Sequence, residues 1–361
     1  MFIITNREID ENATGLDAFG SSPNSKGPNE LRLAEAEWVG GKWRVEVLPD
    51  RLSAAKIQKE KLAATETDEN GNPIVFASRY AAKKVSKRLE ELDRNLVFFV
   101  HGYNNDLKAV LDRAQGFEDL YNVEVVVFSW PANGGGFVGT ASYLSDKRDA
   151  LASVGALDRC LAKLHQYMSE FNAERIKKIE AEATARFPND AEKWDKFFTK
   201  MNEKGCPFTV NMVLHSMGNY LFKHVLQSAA YRGDLLLFDN VVLVAADANN
   251  DGHAEWVDRI QARNRVFITI NEDDGALRAS RMKAGEEQRA RLGHYPYNLY
   301  AERAVYVDFT NAPYVSDSHA YFEGKPVINK IVKKFFQSAF NGERAEDVLT
   351  YEAARRLYNC R

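Results

Sequence analysis

The pentad Leu214-His215-Ser216-Met217-Gly218 constrains this chain more than any other stretch. Before it runs Phe208-Thr209-Val210-Asn211-Met212-Val213, largely apolar and rich in β-branched residues. After it comes Asn219-Tyr220-Leu221-Phe222-Lys223-His224-Val225-Leu226, with apolar residues at helical spacing. Strand, sharp turn with a serine at its apex, then helix is the layout of a nucleophile elbow. Such a turn lifts the hydroxyl clear of the sheet. Gly218 leaves room where the helix passes close to the strand. The Met217 N–H, at the helix start, can face a developing oxyanion. Leu214 departs from the G-x-S-x-G pattern and must find room against a neighbouring strand.

A serine so placed requires an acid and then a histidine later in the chain, and a second N–H donor from the loop after an earlier strand. Asn95-Leu96-Val97-Phe98-Phe99-Val100 reads as a buried parallel strand that runs into His101-Gly102-Tyr103-Asn104-Asn105. Gly102 lets the backbone turn so that the Tyr103 N–H points at the pocket. The acid is sought after Arg265–Ile270, in Asn271-Glu272-Asp273-Asp274-Gly275. Asp274 is the choice, with Asp273 as the alternative. Asp247, after Val241–Ala245, is the fallback acid and a pocket-lining candidate. Of seven histidines, only His319 follows both the acid and a further strand, Ala304–Phe309, and precedes a helix expected over Val327–Phe336. His101, Trp130 and His215 are further pocket-lining candidates.

The strings FVHGYNND, VVFSWPANG, LHSMGN, NEDDGAL and DSHAYF, with TNR near the start, resemble bacterial α/β-hydrolases of largely unassigned substrate that carry an HGYN oxyanion loop. The likeness runs from Phe2 to about Phe336. It implies Ser216 as nucleophile, Asp274 as acid, His319 as base, and Tyr103 and Met217 as oxyanion donors. It names no substrate.

The strand pattern agrees. Eight strands are expected: Phe2–Thr5, Trp43–Leu48, Leu96–Val100, Val123–Phe128, Thr209–Leu214, Asn240–Ala245, Arg265–Ile270 and Ala304–Phe309. Helical runs such as Ala109–Asp119, Ala141–Gln166 and Asn219–Ala230 separate them. The expected architecture is an α/β fold with a mostly parallel eight-stranded sheet covered by helices on both faces. Reactive groups would collect at the carboxyl ends of the strands.

No Pro/Gly/Ser-rich linker divides the 361 residues, so one domain over 1–361 is expected, with 45% hydrophobic residues to build its core. A net charge of −3 argues against nucleic acid as a partner. Met1-Phe2-Ile3-Ile4 has no basic prefix, no apolar run reaches membrane-spanning length, and Cys160, Cys206 and Cys360 stand far apart without metal spacing. A cytoplasmic location with reduced thiols is expected.

Residues 166–205 are rich in Glu, Lys and Arg and read as a helical cap or insertion. Its second helix would start at Asn189, with Glu192 three residues on as in a capping box. Trp194, Phe197, Phe198 and Met201 then form an apolar stripe, serving either as a lid beside Ser216, slightly favoured, or as plain packing or an interface. Asp247-Ala248-Asn249-Asn250-Asp251-Gly252, with Asp258 at the twelfth position, imitates a calcium loop but follows a strand, so no metal is assigned. Gly134-Gly135-Gly136 reads as a loop near the site entrance.

The expected chemistry is cofactor-free acyl transfer from a small-molecule or lipid carboxylic ester to water. Lipase, phospholipase, amidase or peptidase activity on the same triad is the alternative. A catalytically silent binding module of the same fold is the rival from another class.

Overall fold

The computed structural model describes residues 1–64, 66–133, 140–233, 235–282 and 289–360. Its main sheet has eleven strands. In chain order these are β1 (Phe2–Thr5), β2 (Arg32–Val39), β3 (Lys42–Leu48), β4 (Leu96–Val100), β5 (Glu124–Ser129), β6 (Val210–His215), β7 (Phe238–Val244), β8 (Ala262–Ile270), β9 (Ala304–Asp308), β10 (Thr350–Glu352) and β11 (Leu357–Asn359). Their order across the sheet is β10-β11-β9-β8-β7-β6-β4-β5-β1-β2-β3. The eight from β11 to β1 are mutually parallel. β10 closes one edge and the β2–β3 hairpin the other, both by antiparallel pairing.

All eight expected strands are present, and the sheet gains three. β2 alternates charged and apolar residues beside the edge strand β3, and β10 and β11 are only three residues each. Sequence patterning is weakest for such short or edge strands.

The central strands are buried on both faces, which explains their continuous apolar runs. Side chains alternate between two cores. Leu96, Phe98 and Val100 join the core shared with helices Ala77–Leu92, Val154–Arg186 and Met217–Gln227. Val97 and Phe99 join the core shared with helices Leu107–Tyr121 and Lys330–Phe340. Parallel strands joined by crossover connections put every strand-to-helix loop at one end of the sheet, where ligands bind in such folds. The loops after β4, β6, β8 and β9 all lie there.

The run expected as one helix over Ala141–Gln166 is two, Thr140–Ala152 and Val154–Arg186. The second continues without a break through residue 166, so the insertion has no boundary there. It ends at Phe187, beside Pro188. The next helix, Ala191–Glu203, is capped by Asp190 rather than Asn189: the Asp190 side chain accepts the Lys193 N–H at 3.0 Å. The expected helix over Val327–Phe336 is a short 3₁₀ turn, Lys325–Ile328, followed by Lys330–Phe340, capped by Asn329.

The aromatic stripe of Ala191–Glu203 is half-buried. Trp194 stacks on Phe198 with centroids 5.1 Å apart, and its Nε1–H donates to Thr184 Oγ1 at 3.0 Å. Phe197 meets Phe187 and the Arg186 guanidinium. These contacts tie the stripe to the preceding long helix, the geometry of a self-packed hairpin. Gly134-Gly135-Gly136 lies outside the described residues.

Candidate active site

Ser216 sits between β6 and the helix Met217–Gln227 with φ +53° and ψ −121°. A positive φ in a non-glycine residue costs on the order of 1–3 kcal/mol and persists only where the surroundings impose it. Here the neighbouring strand does so. The Ser216 N–H donates to Val244 O at 3.0 Å, and Ser216 O accepts the Asp247 N–H at 3.2 Å. Asn219, fully buried, braces the turn from below, its Nδ2 donating to the carbonyls of Leu214, Ser216 and Val244. Leu214 finds its room inside the sheet, paired with Val100 and Leu243 and wholly buried.

Two glycines set the approach of the neighbouring loop. A Cβ on Gly218 would lie 2.8 Å from both His101 O and Val100 O. A Cβ on Gly102 would lie 2.6 Å from the Ser216 Cβ and 3.2 Å from its Oγ. The loop after β4 is thus laid directly against the serine, and Tyr103 is the next residue. Met217 is the first residue of its helix, where N–H groups have no partner within the helix.

His101 and Trp130, expected to line the pocket, are both fully buried. Their rings stack 5.1 Å apart, 3° from parallel, and Trp130 Nε1 donates to His101 O at 2.8 Å. They back the Gly102–Tyr103 loop from behind. Burial, reinforced by the charge of Arg7, lowers the His101 pKa to about 3, so its ring is neutral.

His319 reaches the same end of the sheet from the loop after β9. Its Nδ1 lies 2.7 Å from Asp274 Oδ2. Asp274 is fully buried and caps the helix Gly275–Arg281, its Oδ1 accepting the Ala276 and Leu277 N–H groups, both at 2.9 Å. One carboxylate therefore ends a helix and holds an imidazole. The remaining His319 nitrogen, Nε2, is the one that can take a proton. Asn271 Nδ2 ties this loop down through Ser316 O and Ser318 O. His215, adjacent to the serine, lies against it too: His215 Nε2 is 3.1 Å from His319 O and the rings are 4.8 Å apart. Burial and then the His319 charge hold His215 well below the usual histidine pKa, so its Nε2–H donates to that carbonyl.

The other two carboxylates have different roles. Asp273 hydrogen-bonds through its backbone to Asn271 Oδ1. Asp247, 5% exposed, takes Tyr143 OH at 2.9 Å, Ser280 Oγ at 2.6 Å and Arg291 Nε at 3.1 Å. Arg291 comes from a strap that crosses the ends of β7 and β8. The strap is held by Asn250 N to Ala290 O, Leu292 N to Ala248 O and Gly293 N to Ala246 O. Gly293 passes so close that a Cβ would fall 2.2 Å from Ala246 N. Sequence reasoning missed Tyr143, Ser280 and Arg291, since no periodicity or motif marks them. Asn219, in contrast, stands in the quoted LHSMGN string.

The residues that imitated a calcium loop do not converge. Asp247 is engaged by Arg291, Asp251 lies 3.6 Å from Arg289, and Asp258 Oδ1 accepts the Arg303 N–H. No group of three His, Cys, Asp or Glu among the described residues could hold a metal. A cavity of about 660 Å³ lies elsewhere, between helices Ala77–Leu92 and Val154–Arg186, floored by Phe2, Phe98 and Val126. No helix among the described residues is long and apolar enough to cross a membrane.

The profile of one family, described as "Alpha/beta hydrolase of unknown function (DUF900)", matches residues 78–179 and 180–333. No curated protein and no solved structure matches the chain. The match spans well over half of the chain and covers the elbow, the Gly102 loop, Asp274 and His319. The chain is therefore a member of the DUF900 family of α/β hydrolases.

Proposed function

We propose that this protein is a serine hydrolase of carboxylesterase type, acting through a Ser216–His319–Asp274 triad. The observation that carries the reading is the 2.7 Å Asp274–His319 pair held beside the strained Ser216 elbow. Asp274 fixes the imidazole with its proton on Nδ1, which leaves Nε2 as the base. His319 takes the Ser216 proton as Oγ attacks the ester carbonyl carbon. The resulting oxyanion accepts hydrogen bonds from the Tyr103 and Met217 N–H groups, each worth about 3 kcal/mol in the transition state. The alcohol leaves with the proton from His319. Water, deprotonated by the same imidazole, then attacks the acyl-enzyme and releases the acid. None of these steps calls on a metal or cofactor.

Esters are favoured over amides because a leaving alcohol needs less protonation than a leaving amine. Three unpaired cysteines are compatible with a reducing compartment and a cytoplasmic enzyme. The reading is tested with a fluorophosphonate probe and a panel of p-nitrophenyl esters of increasing acyl length. The wild type should label at Ser216 and turn over at least the short esters. Ser216→Ala should do neither. A wild-type protein that neither labels nor hydrolyses would leave the fold in the role of a binding module.

A further inference from the structure

Arg7 follows the end of β1 and is 2% exposed. Its guanidinium makes four hydrogen bonds. Nε donates to Ser129 Oγ at 2.9 Å, Nη1 to Ala132 O at 3.0 Å and to Gly20 O at 3.1 Å, and Nη2 to Asn105 O at 2.8 Å. None of these acceptors is a carboxylate. Burial lowers the Arg7 pKa to about 10, against the raising influence of Asp106, Asp146 and Asp149, so it remains charged at neutral pH. A guanidinium taken out of water and matched only to neutral acceptors is costly to keep. What it holds indicates why it is there.

Asn105 lies in the loop that carries Tyr103, Ser129 and Ala132 belong to the β5 end, and Gly20 to the hairpin Arg7–Ile9 with Phe19–Pro23. The planar fork therefore ties three chain segments into one layer at the carboxyl end of the sheet. The same loop is pinned again one residue earlier. Buried Asp146 accepts the Asn104 N–H and the Asn133 N–H, both at 3.0 Å. Asn104 itself has φ +56°. On its other side Gly102 is packed against Ser216. The direction of the Tyr103 N–H is thus set by a peptide run held at both ends.

We infer that Arg7 is a positioning residue for acyl transfer at Ser216: its fork on Asn105 O, Ser129 Oγ and Ala132 O aims the Tyr103 N–H at the oxyanion. The inference rests on the assignment of Ser216 as nucleophile. Arg7 touches no reacting atom and acts through the loop backbone. A lysine keeps the charge but cannot reach three acceptors in one plane, so charge and fork are separable.

The experiment compares wild type with Arg7→Gln, Arg7→Lys and Arg265→Gln. Arg265 pairs with Glu346 near the amino end of β8 and reports the effect of lost stability alone. Two readouts are taken, hydrogen–deuterium exchange of the peptides spanning 101–106 and 130–133, and kcat and KM on a p-nitrophenyl ester. Arg7→Gln and Arg7→Lys should both speed exchange in those two segments, leave 210–216 protected, and lower kcat at least 10-fold with KM changed less than 3-fold, since small misplacements of catalytic groups carry such losses. Arg265→Gln should lower the melting temperature with kcat retained. Unchanged exchange in the loop of either Arg7 variant would overturn the inference, as would wild-type kcat or full rescue by lysine. If Arg7→Gln fails to fold, the lysine variant decides the matter by the same two readouts. If the wild type itself hydrolyses nothing, the assignment of Ser216 falls and takes the catalytic role of Arg7 with it, while the exchange readout still reports whether the clamp exists.

Discussion

Replacing Asp274 by Asn tests the proposed division between the carboxylate paired with His319 and the one paired with Arg291. An asparagine in the same rotamer keeps an oxygen for the Ala276 and Leu277 N–H groups, so the helix cap survives and stability should fall by about 1 kcal/mol or less. On the other side an NH₂ group would now face His319 Nδ1 at the present 2.7 Å. Two donors cannot share that space. The imidazole must move its proton to Nε2 and present Nδ1 as acceptor, which removes the base that the proposed mechanism requires. Loss of the correct tautomer costs roughly 10⁴ in kcat, or about 5.5 kcal/mol in the transition state. Asp247→Asn should behave in the opposite way. It removes the charge from a buried ion pair in which both partners are 3% exposed at the side chain, a change worth about 3–5 kcal/mol of stability. Its carboxylate makes no contact with His319, so the folded fraction should retain kcat within about 10-fold. The assay is p-nitrophenyl ester turnover beside urea unfolding for both variants. A kcat for Asp274→Asn within 10-fold of wild type would refute the reasoning, and so would a severe loss confined to Asp247→Asn.

Gly102→Ala places a Cβ 2.6 Å from the Ser216 Cβ, so either the loop or the elbow must shift; kcat should fall by about 10²-fold while circular dichroism stays native, and an unchanged kcat would contradict the packing described. Trp194→Ala with Phe198→Ala should lower stability by roughly 1–2 kcal/mol through the lost hairpin contacts and leave the acyl-length profile flat; a shifted profile would favour the lid. His101 gives a pH signature. Its folded pKa of about 3 lies below the unfolded value near 6.5, so between these values the unfolded chain binds the extra proton and stability falls as pH falls. His101→Phe lacks that titration. From pH 6.5 to 5 it should lose about 2 kcal/mol less than wild type in urea unfolding, and parallel pH curves would count against a neutral buried ring.

The pieces of the site legible in the sequence were those with a local signature. The elbow is a change of period from strand to helix around a serine and a glycine. The Gly102 loop, the Asp274 turn and the His319 loop each follow an apolar strand, and their order along the chain restricts how they can be combined. Both apolar cores and the α/β class follow from the same alternation, because a strand apolar on both faces must be covered on both. What needed the tertiary structure is whatever depends on distance between remote segments. Sequence left three carboxylates for one histidine; only Asp274 stands 2.7 Å from it, while Asp247 is taken by an arginine brought in by the 289–294 strap. The Arg7 fork joins residues up to 125 positions apart, and no local pattern encodes that pairing. The helical stripe showed that an apolar face exists, but not what it covers, since periodicity fixes the side of a helix and not its neighbour. Local chemistry decided which groups could react, and the meeting of distant loops at the carboxyl end of the sheet decided which of them come together.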